Sequence, residues 1–168
     1  DFDVSLYRDR YIRGRIYHRV RNLNLPSMKE YYQYLNDNPK EMNHLKSLLT
    51  VHTTEFFRDI HPFQYLESSL LPKIAQKLSP SNKLRIVSAP CSTGQETYSL
   101  AIIVHKLIKS RVIKCPVEIL GVDIDKQSIE KAREGIYRKD EMKNVSSQIL
   151  NDCFKQVGSD YQVKDEIK

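Results

Sequence analysis

The 168 residues are poor in the side chains on which several familiar sites are built, with only five glycines and three cysteines. Cys91, Cys115 and Cys153 are odd in number, widely spaced and form no CxxC pair. That argues against a disulfide framework and a zinc site, so no metal is expected, and it suits a reducing, cytoplasmic setting. No apolar run approaches the roughly 18 residues of a membrane-spanning helix. The opening DFDVSLYRDR is charged and lacks the apolar stretch of a secretory signal. Neither an internal repeat nor a low-complexity segment is present.

What is present is ordinary globular composition, 40% hydrophobic and 29% charged, which predicts a buried core rather than disorder. The net charge of +6 is unevenly spread. Arg8, Arg10, Arg13, Arg15, Arg19 and Arg21 crowd the first 21 residues against Asp1, Asp3 and Asp9. Such a concentration suits an acidic partner, with a solvated helix face as the alternative.

Ile12, Ile16, Val20 and Leu23 step by four, four and three, one helical stripe with Arg8, Arg15 and Arg19 in a line beside it. In LPSMKEYYQYL, Ser27 and Glu30 form a capping box for a second helix with an apolar face of Met28, Tyr31, Tyr32 and Leu35. NDNP at 36–39 breaks the chain, and a third helix is predicted from Lys40 to Leu49. Residues 1–50 thus form a helical domain. An inter-domain segment and helix follow at 51–82, where Phe56 and Phe57 are core anchors. Phe63, Leu66, Leu70, Ile74 and Leu78 make a helical face interrupted near Pro72.

From residue 83 to 168 the pattern alternates strand and helix. LRIVSA, the face Leu100, Ile103, Val104, Leu107 and Ile108, VEILGV and KQSIEKARE read as a βαβ unit with parallel strands, then a helix. A short third strand is predicted near 161–164. Ligands of such sheets lie beyond the carboxyl ends of the strands. There the turn Ala89-Pro90-Cys91-Ser92-Thr93-Gly94 carries one glycine, and Glu96 opens the helix where a dinucleotide fold receives pyrophosphate. A carboxylate there repels phosphate and can pair with an ammonium group. Asp123, closing the second strand, stands where an acid accepts ribose hydroxyls. A ribose plus a cationic group without phosphate fits S-adenosylmethionine better than NAD, while helix capping is the plainer role for Glu96.

LRIVSAPCSTGQETYSLA, TEFFRD, ILGVDIDKQSIEKAREGIY and the helical GRIYHRVRNLNLPSMKEYYQYL together resemble the CheR family, the S-adenosylmethionine-dependent chemoreceptor glutamate methyltransferases. The resemblance covers essentially the whole chain. It implies an α/β fold, a Rossmann-like class I methyltransferase domain preceded by a small all-helical one. It implies S-adenosyl-L-methionine as cofactor, S-adenosyl-L-homocysteine as product, and the cytoplasmic helical bundle of chemoreceptors as partner. The membrane is then approached only through the receptor, and nucleic acid is not a partner.

Carried over by motif, His52, Thr54, Arg58, Ala89, Pro90, Glu96 and Asp123 would bind the cofactor. Arg58 would also have a catalytic role, aligning the substrate carboxylate, and Arg15, Arg19 and Arg21 would dock the receptor helix. His52 stands where the family usually has Asn, and Gly94-Gln95-Glu96-Thr97 replaces the common glycine-Glu-Glu-Pro. With few of the family's seven strands, the chain is expected to be the N-terminal portion of a larger enzyme and weakly active or inactive alone. The competing expectations are a homologue that binds cofactor or partner without turnover, and a basic nucleic-acid-binding module.

Overall fold

A computed structural model describes residues 8–49 and 54–168, and His52 lies outside these residues. The chain divides into two compact units, Asp1–Val51 and His52–Lys168. Among the described residues no helix is long and apolar enough to cross a membrane.

The first unit is three helices, α1 (Asp9–Asn22), α2 (Met28–Asp37) and α3 (Pro39–Leu49). Val20, Tyr31, Leu45 and Leu49 form its core, with Ile12, Ile16 and Leu23 of the α1 stripe packed against them. Two local features differ from expectation. Ser27 caps α2 by accepting the Lys29 N–H, and Glu30 takes the Ser27 hydroxyl rather than the Ser27 N–H, so the cap is one-sided. The apolar face of α2 is also narrower: Tyr31 is buried, but Tyr32 and Met28 are exposed. Three short helices enclose too little volume to seat every aromatic ring of an amphipathic face.

In the second unit, α4 (Ile60–Tyr65) and α5 (Leu71–Gln76) are joined by a π-helical stretch, Leu66–Leu70. The interruption expected at Pro72 is displaced upstream. Proline lacks an N–H and its ring crowds the carbonyl four residues back, a conflict a widened turn relieves. Strands β1 (Leu84–Ser88) and β2 (Val117–Gly121) pair in parallel, Leu84 with Val117 through Ser88 with Gly121. Helix α6 (Gln95–Lys109) connects them, and α7 (Lys126–Glu134) follows β2.

The strand expected at 161–164 does form, as β5 (Asp160–Val163), but outside the parallel pair. It is the centre of an antiparallel sheet ordered β3-β5-β4, with β3 at Ile136–Tyr137 and β4 at Phe154–Val157. Val157 pairs with Asp160 across Gly158-Ser159, and Gly158 takes φ +61°, so a tight hairpin holds this strand to its sequence neighbour. Helix α8 (Ser147–Cys153) leads into β4. Leu100, Ile102, Ile103, Val104 and Leu107 of α6 share one core with Phe56, Phe57, Phe154 and Val163. The antiparallel sheet therefore buttresses the helix that follows β1.

Candidate functional site

The site is assembled at the carboxyl ends of β1 and β2. The strand ladder runs past Gly121, with Val122 N–H donating to Ser88 O and Cys91 N–H to Val122 O, both at 2.9 Å. Close approach is possible because residue 121 is glycine: a Cβ there would lie 3.1 Å from both Cys91 Sγ and Thr97 Oγ1. Asp123 spans the two strand ends. Its Oδ2 accepts the Ser92 N–H at 2.7 Å and its Oδ1 the Asp125 N–H at 2.9 Å.

Glu96 lies in the first turn of α6, where the helix dipole favours a carboxylate. It caps no helical N–H. Its Oε1 instead accepts the hydroxyl of buried Ser88 at 2.7 Å, which aims the exposed carboxylate back over the end of β1. Capping is thereby removed as its role. Between the two acids, burial first and then the charges of Asp123 and Glu96 push the Cys91 thiol up. Cys91 is buried as well, which makes it a packing residue rather than a nucleophile.

Ala89 and Pro90 are exposed on the first turn, and Thr54 is half-buried. Arg58 is exposed, its backbone set between two left-handed residues, Phe57 at φ 49° and Asp59 at φ 52°. On α1, Arg15 and Arg21 are exposed. Arg19 is engaged elsewhere: its Nε and Nη2 donate to the two Glu41 oxygens at 2.8 Å each, and Tyr31 OH donates to Glu41 Oε1 at 3.0 Å. The line of Arg8, Arg15 and Arg19 accordingly loses its last member to an ion pair within the unit. Glu41 was not foreseen as a partner, since nothing in α3's own sequence marks an acid that a helix crossing will bury. Among the described residues no group of three or more His, Cys, Asp or Glu side chains is placed to hold a metal ion.

Comparison with known proteins decides between a dinucleotide fold and a methyltransferase. Residues 52–168 match the family described as CheR methyltransferase, SAM binding domain, and residues 1–50 match the CheR methyltransferase, all-alpha domain. The chain belongs to the CheR methyltransferase family. The chemotaxis protein methyltransferase of Listeria monocytogenes is 27% identical over 161 residues, covering 96% of this chain and 59% of the relative. A probable chemotaxis protein methyltransferase of Rhizobium etli is 32% identical over 161 residues, 92% of this chain and 60% of the relative. That of Escherichia coli K12 is 32% identical over 143 residues, covering 84% and 47%. The chain thus spans about 60% of the length of the first two.

The strand ends fit the cofactor this family description names. The turn from Ser88 to Thr97 has no cationic side chain and two flanking acids, the reverse of a phosphate cradle. Ser92 is buried at 9% exposure and its hydroxyl has no partner among the described residues, an unmet polar group inside the turn.

Proposed function

We propose that the chain binds S-adenosylmethionine across the carboxyl ends of β1 and β2, and that the protein it represents transfers a methyl group to glutamate side chains of chemoreceptors. The observation that carries the reading is the pair of carboxylates, Glu96 at the start of α6 over the end of β1 and Asp123 just past β2, around a turn free of cations. The relatives' names, chemotaxis protein methyltransferase, support the substrate class.

The sulfonium, when bound, supplies an electrophilic methyl group and a good thioether leaving group. Glu96 would pair with the ammonium of the cofactor's amino-acid moiety, and Asp123 would meet its ribose hydroxyls. With both Asp123 oxygens already receiving N–H donors, its backbone bonds set the carboxylate's orientation and leave further lone pairs for a ligand.

The receptor glutamate, with a reference pKa of about 4.3, is already ionised near neutrality, so the chain needs no general base. A substrate carboxylate oxygen would take the methyl group that the sulfonium supplies, the electron pair of the carbon–sulfur bond would leave with the thioether, and no residue of the chain would have to accept a proton. What remains for the protein is alignment and exclusion of water. Arg58 would hold the carboxylate, and Thr54 would contact cofactor beside it. Arg15 and Arg21 would steer the acidic receptor helix, while Arg19, held by Glu41, shapes the helix that carries them.

Calorimetric titration with S-adenosylhomocysteine tests the site. The expected result is binding by the wild type and a loss of about tenfold or more in Glu96→Gln, the range of one charge-assisted hydrogen bond. Equal affinity in wild type and Glu96→Gln would sink the assignment. Label transferred from methyl-labelled cofactor to receptor membranes should be base-labile, as a glutamyl ester requires.

A further inference from the structure

Two residues that sequence reasoning passed over join the segment bearing Arg58 to the turn bearing Glu96. The first is Ser99, one turn into α6 and fully buried. Its hydroxyl donates to the Gln95 carbonyl of its own helix at 2.7 Å, which directs its lone pairs outward. There they accept the buried Phe57 N–H at 3.0 Å, from a residue 42 positions away. That N–H belongs to one of the two left-handed residues beside Arg58, a conformation that non-glycine residues keep only when surrounding contacts impose it.

The second is Tyr137 in β3, also fully buried. Its hydroxyl donates to the Thr93 carbonyl at 2.7 Å, and its ring meets that of Phe56 edge to face at 4.9 Å. Burial pushes the pKa of this phenol up, which keeps its proton in place to be donated to that carbonyl. The same two stretches, 54–58 and 93–96, are therefore pinned together at two points, by side chains that bond to neither Glu96 nor Asp123.

We infer that Ser99 and Tyr137 are positioning residues for the cofactor site, a two-point clamp that fixes Arg58 and Thr54 relative to the turn of Glu96. The inference rests on the proposed cofactor site, and it concerns how that site is held rather than what it binds. Deleting the Ser99 hydroxyl leaves the buried Phe57 N–H unpaired, deleting that of Tyr137 leaves the half-buried Thr93 carbonyl without this donor, and each change frees one stretch to shift against the other. A shift of that kind separates groups that must meet one ligand together, so affinity falls even while the fold persists.

The test uses Ser99→Ala and Tyr137→Phe in the whole chain, well below the melting temperature of each. S-adenosylhomocysteine affinity is read by calorimetry, and amide exchange by NMR at Phe57 with Val163 as the core reference. Affinity should weaken about tenfold in each variant, the equivalent of one buried hydrogen bond. The Phe57 amide should exchange about tenfold faster in Ser99→Ala while Val163 stays protected. Unchanged affinity in both variants, or an equally protected Phe57 amide in Ser99→Ala, overturns the clamp. Should Ser99→Ala fail to fold, Tyr137→Phe, which removes a single oxygen, decides through its affinity. A wild type that binds no S-adenosylhomocysteine refutes the site itself, and the inference with it, before any variant is made.

Discussion

Arg19 shows how one tertiary contact reassigns a residue. Its neighbours Arg15 and Arg21 project from the same helix and stay exposed, yet Glu41 takes both ends of the Arg19 guanidinium. The hydrogen bonds from Arg19, then Tyr31, hold the Glu41 carboxyl below its ordinary value of 4.5, against the opposing effect of burial. The stabilisation this confers is complete above that ordinary value and is lost as pH falls through the lowered one. Acid unfolding of the helical unit, followed by circular dichroism, should therefore lose part of its dependence on pH below about 4.5 in Glu41→Gln. At neutral pH the same change should cost about 2–3 kcal/mol, below the figure for a fully buried pair because Arg19 keeps some solvent contact. Charge reversal at Arg15 or Arg21 should instead leave stability within about 0.5 kcal/mol. If the proposed function holds, its effect is a raised receptor KM with the S-adenosylhomocysteine affinity unchanged.

The turn between β1 and α6 is the element on which the site depends. Gly94 ends it with φ +93°, and a Cβ there would lie 2.9 Å from both Ala132 Cβ and Tyr137 OH. Helix α7 and β3 therefore press on the turn from behind, and only glycine admits them. Gly94→Ala should destabilise the second unit by about 1–3 kcal/mol, measured by urea unfolding, because strain in φ adds to the clash. The Tyr137 hydroxyl would be displaced first. Behind the same turn, Gln95 is buried, its Oε1 accepting the Thr93 hydroxyl and its Nε2 donating to Glu141. Its first-turn position was plain in the sequence, whereas its burial depends on Glu141, far along the chain.

Across the whole molecule, one core serves the parallel pair, the helices around it and the antiparallel sheet. On the opposite face of β1 and β2 Val87 is 61% exposed and Leu120 56%, beside the Arg85–Glu118 ion pair, and Ile124, past the end of β2, is 81% exposed. Exposed apolar side chains, where they cluster, bind hydrophobic dyes and promote association. Leu120→Thr with Ile124→Thr should lower dye fluorescence and self-association, read by light scattering, and leave the melting temperature nearly unchanged. A drop of many degrees would mean that those side chains are packed in solution.

Local rules made much of this chain legible. A period of 3.6 marked the helices, short apolar runs marked the parallel pair, and capping chemistry located the start of α2. The acids at the strand ends were found by position alone, because a βαβ unit places the ends of its strands together wherever it occurs. The sequence could not say which side chains meet across long separations. Arg19 with Glu41, Phe57 with Ser99, and Tyr137 with Thr93 are 22, 42 and 44 positions apart. Hydrogen bonds over such distances depend on how helices and sheets pack, and packing belongs to the folded chain as a whole. The sequence by itself thus determined the family, the strand ends and the carboxylates set on them. Only the tertiary structure decided which arginines stay exposed and which buried hydroxyls tie distant stretches of the chain together, because both follow from how the elements pack.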